Sequence, residues 1–164
     1  MTALDLPPRT ATTPPLTRFM VGWAATDANA HMRSTAYLEA AIDSRVDYLQ
    51  RNGWPLSRFH AHRIGPVLLS DEVAYRRELR MGDEATIDLE LAGASLDGAR
   101  FRLRNTIRRA DDYRVSATIV SNCAWVDLDQ RQLSVPPADL FDVINALPHT
   151  EDWVDLPSLN RHAA

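Results

Sequence analysis

The sequence contains no lysine; all 18 of its basic residues are arginines. That excludes Schiff-base catalysis by lysine and the phosphate-binding lysine of a P-loop. It has a single cysteine, Cys123, so no internal disulfide forms, and no group of Cys and His residues has zinc-ligand spacing. Cys123 sits in an apolar, β-prone run, which points to a buried structural thiol rather than a nucleophile. An excess of positive charge is lacking too. The formal net charge is −4, which argues against a bulk electrostatic hold on nucleic acid. No uninterrupted apolar stretch approaches the ~18 residues that a membrane-crossing helix needs. The opening "MTALDLPPRTATTPPLTR" has no apolar signal core, and its Pro and Thr content reads as a flexible tail. A cytoplasmic protein is the expectation.

What is present suits one domain of α+β class. The 164 residues are 45% hydrophobic, enough for a core in a chain of about one domain's length. A β-prone run at 17–23 precedes "STAYLEAAIDSRVDYLQRNG", where Leu38, Ala41, Ile42, Arg45 and Leu49 recur at spacings of three and four. Ser34 or Thr35 is the expected cap of this long helix, and Gly53 with Pro55 its end. The rest reads mostly as strand. Residues 64–79 form a long extended segment with an irregularity near Ser70–Asp71. Residues 84–93 alternate, with Ala85, Ile87, Leu89 and Leu91 on one face and Thr86, Asp88 and Glu90 on the other. Asp97–Gly98 marks a hairpin turn, and strands at 99–109 and 113–128 follow. Pro136–Pro137 leads into a short helix, 138–147. Hairpins in series make an antiparallel sheet, and one long amphipathic helix has to bury its apolar side against it. The expected organisation is a tail at 1–16, one domain at 17–147 and a C-terminal tail at 148–164 outside the core.

Arg100, Arg102, Arg104 and Arg108 share one face of the 99–109 strand. Such a stripe suits a phosphate or nucleotide. The better-supported reading is a solvated face paired across strands with Asp88 and Glu90, each exposed pair contributing about 0–1 kcal/mol.

Asp27 is the only acid between Asp5 and Glu39. A turn carboxylate accounts for it. So does chemistry, because a carboxylate near the free N–H groups of a helix start is what acyl transfer or hydrolysis requires: an attacking or water-activating group and an oxyanion stabiliser.

The segment "TDANAHMRSTAYLEAAIDSR" resembles the signature of hotdog-fold acyl-CoA thioesterases of the 4-hydroxybenzoyl-CoA thioesterase type, matching it at Asp27, His31, Met32 and Tyr37. "GPVLLSDEVAYRRELRMGDE" is similar to the family's Gly-x-Pro-Val strand, which carries Pro66 here, and to its "GD" turn. "WVDLDQRQLSVPPADL" is similar to its last strand and closing helix. The resemblance implies a hotdog fold, with five antiparallel strands wrapped around one long central helix. It also implies self-association to a dimer or tetramer with interface active sites, and hydrolysis of an acyl-CoA substrate to a free acid and CoA. Asp27 falls on the catalytic carboxylate, as nucleophile or general base, and the Ser34 backbone N–H on the oxyanion donor. His31, Arg33, Tyr37 and Pro66 fall on substrate-binding positions, although a loop-ordering role for His31 and core packing for Tyr37 are open alternatives. No metal, no redox cofactor, no nucleic-acid partner and no membrane span is implied. Two positions depart from the pattern: Ala30 stands where the family has Gly, often at an unusual backbone angle, and Arg33 where it has Asn.

Two rival functions stay in view. A hydratase on the same fold is suggested by "DANAH", but its Asp-to-His spacing is five against four here, and Ala30 stands where its Pro would be. A non-catalytic acyl-CoA-binding protein is suggested by Ala30 and Arg33.

Overall fold

The structure is a computed structural model and describes residues 17–159; the expected N-terminal tail lies outside them. Seven strands join in one sheet: β1 (Thr17–Met20), β2 (Ile64–Tyr75), β3 (Glu84–Ser95), β4 (Arg100–Arg109), β5 (Val115–Asp127), β6 (Gln132–Leu133) and β7 (His149–Leu156). The main path runs β1-β3-β4-β5-β2, all antiparallel, with β6 added to β5 and β7 to β3. The expected irregularity in β2 is a register shift between Leu68 and Ser70 against β5.

Three helices accompany the sheet rather than one: α1 (Ser34–Arg51), α2 (Leu56–His62) and α3 (Ala138–Asn145). α1 is much the longest, at 18 residues. Its buried face is Ala36, Tyr37, Ala41 and Ser44, while Ile42, placed on the apolar side by its spacing, is 46% exposed. Small residues let the helix backbone lie close to the sheet, and that rotates Ile42 outward. The cap also differs from expectation. Arg33 is the capping residue, and its side chain makes no capping hydrogen bond to the helix N–H groups.

Two apolar clusters fill the interior. One gathers Met32, Tyr37 and Ala41 with Leu79, Ile87, Ile107 and Ile119, at the first half of α1. The other gathers Trp54, Phe59, Leu91, Phe101, Trp125 and Leu140, under α2 and α3. Each large apolar side chain fully buried there contributes roughly 1.5–3 kcal/mol. Trp125 stacks on Phe101 with ring centroids 4.8 Å apart. Cys123 is buried in the second cluster, and burial pushes its thiol pKa up to about 11.

Between the clusters lies a polar belt. Asn105, fully buried, accepts from Arg45 Nε (2.7 Å) and donates to Ser44 Oγ (3.0 Å) and to the Asp88 carbonyl (3.2 Å). Arg45 Nη2 also donates to Ser121 Oγ (2.7 Å), whose hydroxyl donates to Asp71 Oδ1.

The segment expected as a C-terminal tail is partly strand. β7 runs parallel to β3, pairing Gly93 with Val154 and Ser95 with Leu156. Gly93 permits this, because a Cβ there would run into the Val154 carbonyl oxygen. The arginine stripe explains the docking. Arg104 pairs with Asp152, Arg100 Nη1 donates to the Pro157 carbonyl (2.7 Å), and Arg108 Nε lies 3.5 Å from Asp88. Cross-strand pairing therefore holds for Arg108. For Arg104 and Arg100, local periodicity could not identify partners that lie about 50 residues ahead. Thr86 and Asp88, expected on a solvated face, are buried, Asp88 beneath Arg108.

Candidate active site

The chain between β1 and α1 folds back on itself as a narrow loop. A single 3-10 turn, Trp23–Ala25, leads into it. Thr26 then bridges Met32, and Arg33 N–H donates to the Ala25 carbonyl (2.8 Å). At the tip Asp27 N–H donates to the His31 carbonyl (2.8 Å) and Ala30 N–H to the Asp27 carbonyl (3.0 Å). The Asp27 side chain completes the turn, with Oδ1 accepting from the N–H groups of Asn29 (2.8 Å) and His31 (3.1 Å). Asp27 is exposed, and among the described residues Oδ2 has no hydrogen-bond partner. The turn-forming and chemical readings of Asp27 are thus compatible: one oxygen fixes the loop and the other is available.

Ala30 has φ +59°. The position that usually carries Gly in the resembling family does require the left-handed region here, and this chain fills it with a residue that has a Cβ. The loop is anchored on its far side, where Met32 N–H donates to the Leu79 carbonyl (2.7 Å) and Met81 N–H to the Ala30 carbonyl (3.4 Å). His31 Nε2 lies 3.8 Å from Glu78 Oε1, on that same anchoring segment. Arg80 bonds the Glu78 carboxylate, and with His31 it holds the Glu78 pKa below the usual range.

The loop runs straight into α1. With no side-chain cap, the Ser34 and Thr35 N–H groups have no acceptor among the described residues, and the helix dipole makes that end attractive to negative charge. Ser34 is exposed, and its carbonyl accepts from Tyr75 Oη–H (3.0 Å). Tyr37 is only 3% exposed; its hydroxyl accepts from Leu79 N–H (3.2 Å) and its ring meets Tyr75 edge-on at 5.4 Å. Arg33 turns along the helix, donating to both Glu39 carboxylate oxygens (3.1 and 2.9 Å) and to the Thr35 hydroxyl. Its charge is therefore matched by Glu39.

One chain thus brings Asp27, His31, Arg33, Ser34 and Tyr37 into one loop and helix start. It does not bring Pro66 there. Pro66 is exposed and opposite Trp125 on β2, nine residues from Tyr75, or nearly 30 Å at about 3.3 Å per residue. A surface hollow of about 330 Å³ opens elsewhere, lined by Arg18, Asp83, Glu84, Arg109 and Asp111. Its arginines pair with Glu84 and Asp111, and none of the site residues named from the sequence lines it. Glu78 escaped the sequence reading, and Tyr75, which matches a Tyr of the resembling family's strand, was given no role there, because their contacts to the loop are non-local. No helix among the described residues is long and apolar enough to cross a membrane.

A curled antiparallel sheet with a long helix packed on it is a fold that this chain shares with three solved structures. A 1,4-dihydroxy-2-naphthoyl-CoA thioesterase from Synechocystis superposes with TM-score 0.73 at 17% identity, over 80% of this chain and 95% of that one. The probable thioesterase YbaW from Escherichia coli gives 0.68 at 23%, over 80% and 96%. SAV2348 from Staphylococcus aureus, solved in complex with CoA, gives 0.73 at 19%, over 88% and 86%. No curated protein is similar enough in sequence to count as a relative. The model of the thioesterase-like superfamily matches residues 21–145, and the chain belongs to that superfamily.

Proposed function

We propose that the protein hydrolyses an acyl-CoA thioester to the free carboxylic acid and CoA. What carries this reading is the Asp27 carboxylate, held by Oδ1 with Oδ2 open, on the loop that runs into an uncapped helix start. In this reading the Ser34 N–H receives the thioester oxygen, and negative charge developing there is stabilised by that donor and the helix dipole. Either Oδ2 attacks the carbonyl carbon, the CoA thiolate leaves and water then cleaves the acyl-aspartyl anhydride to free acid and Asp27, or Oδ2 takes a proton from the water that attacks, and the CoA thiolate leaves and is protonated. His31 and Glu78 hold the loop to its anchoring segment, and Tyr37 supports it from the core. CoA enters as part of the substrate, and the reading calls for no further cofactor or metal. Superfamily membership and the CoA-bound and thioesterase neighbours support the substrate class.

The working unit in this reading is a dimer or a larger assembly of dimers. Asp27 and Ser34 are exposed in one chain, so water is not excluded from between them. β2 ends the main sheet path, with Leu68 and Leu69 about half exposed. Two copies pairing antiparallel along β2 set the partner's Pro66 near the Tyr75 end of the first chain, and so near Ser34.

The test is thiol release from a panel of acyl-CoAs. Asp27→Asn is expected to lower kcat by about 10²-fold or more. Full activity in Asp27→Asn refutes the site. Binding of acyl-CoA without turnover of any panel member selects the non-catalytic reading, and a His31-dependent reaction on an enoyl-CoA selects the hydratase.

A further inference from the structure

Arg45 is a cation on the sheet-facing side of α1 for which the proposed chemistry has no use. Its two bonded acceptors, Asn105 Oδ1 and Ser121 Oγ (each 2.7 Å), are neutral. Asp71 is reached through the Ser121 hydroxyl, and among the described residues Arg45 forms no ion pair. Burial lowers the Arg45 pKa from its ordinary value, with Cys123 and Asp71 opposing, which marks a desolvated charge that its surroundings compensate incompletely. Guanidinium carries five N–H donors, and Nη1 donates to nothing among the described residues.

Its place gives that donor a purpose. Tyr75 touches the start of α1, through its hydroxyl on Ser34 and its ring on Tyr37. Asp71, four residues back along β2, meets the middle of α1 through Ser121 and Arg45. α1 lies over β3 and β5 and meets β2 through these side chains, with exposed Ile42 and Val46 on the helix and exposed Leu68 and Leu69 on β2. The guanidinium is the cation of the polar belt that Asn105, Ser44 and Ser121 form between the two apolar clusters.

We propose that Arg45 is a specificity-determining residue whose free Nη1 receives a carboxylate at the far end of the acyl group. This rests on the thioesterase reading, with the thioester carbonyl at the start of α1. The four-residue step along β2 puts the Arg45 head about 13 Å from there, a span of roughly ten acyl carbons. The substrate class is thus the mono-CoA thioester of a medium-length dicarboxylic acid.

The experiment compares decanoyl-CoA with the mono-CoA thioester of sebacic acid on the full chain, by thiol release and by calorimetric binding. The sebacyl thioester is expected to show a KM and Kd lower by roughly tenfold, the scale of a charge-assisted hydrogen bond. Arg45→Met is expected to abolish that preference, and Asp71→Asn, on an exposed residue, to increase it by removing a competing negative charge. Equal constants for the two thioesters overturn the proposal. So does a preference that Asp71→Asn lowers, or an Arg45→Met protein that loses its self-association while keeping the preference. If neither thioester is cleaved while another member of the acyl-CoA panel is, the proposal is overturned; if no panel member is cleaved, the thioesterase reading fails, and the calorimetric preference still decides for or against Arg45.

Discussion

Replacing Ala30 with glycine should stabilise the protein. The residue sits at φ +59° with both backbone groups committed, N–H to the Asp27 carbonyl (3.0 Å) and C=O to Met81 N–H (3.4 Å), so the loop cannot relax without losing hydrogen bonds. A left-handed conformation costs an L-residue about 1–2 kcal/mol. Glycine removes that strain but adds about 0.5–1 kcal/mol of unfolded-chain entropy. The net gain is about 0.5–1 kcal/mol, a rise in Tm of about 1–4 °C for a chain of this length. Thermal unfolding followed by circular dichroism reads it directly. Ala30→Val is the control, since a β-branched side chain is worse placed at positive φ and should lower Tm. A glycine variant with unchanged or lower Tm refutes the strain argument, and with it the explanation of why glycine is usual at this position in the resembling family.

Gly93→Val should displace β7, because its Cβ meets the Val154 carbonyl; limited proteolysis should then cut near 150 well before wild type, at a stability loss of about 1–3 kcal/mol. Asn105→Ala should destabilise by about 2–4 kcal/mol in urea unfolding, because it strips a bond from the half-buried Arg45 guanidinium and removes the donor that Ser44 Oγ and the Asp88 carbonyl share. Asp152 is held at a pKa of about 2, against 3.8, first by its hydrogen bond from Arg104. Its folded value lies below the unfolded one, so its contribution is present above pH ~4 and lost as pH falls toward 2. The carboxylate is largely exposed, so that contribution is small. Arg104→Met should move the Asp152 midpoint in an NMR titration up toward 3.8, and an unmoved midpoint would acquit Arg104.

The elements set by local patterning were legible in the sequence. α1, β3, β4 and β5, the Asp97–Gly98 turn and the β2 irregularity all follow from periods of 3.6 or 2 and from turn residues. β7 was not legible, because "HTEDWVDL" is acid-rich and its docking depends on Gly93 and the arginine stripe, both distant in sequence. The helix cap was misplaced because Ser34 begins the helix rather than preceding it. At the site, the loop, Asp27 and the glycine-like backbone at Ala30 could be anticipated. The Glu78 and Tyr75 contacts could not, since they join residues more than 40 positions apart. Arg45 did signal itself, as the one charge in a row of apolar spacings on the helix.

The two margins of the sheet are unlike. Among the described residues β2 offers a row of 12 residues with one irregularity at Leu68–Ser70, whereas the β3 side carries β1 and β7, shorter pieces that run in opposite directions relative to β3. A ladder between copies therefore has one long margin to use, and a pair uses it on both copies at once. In the proposed pairing along β2, assembly by sheet extension would be self-terminating: a closed pair uses the long margin of both copies and leaves a growing filament nothing comparable to add onto.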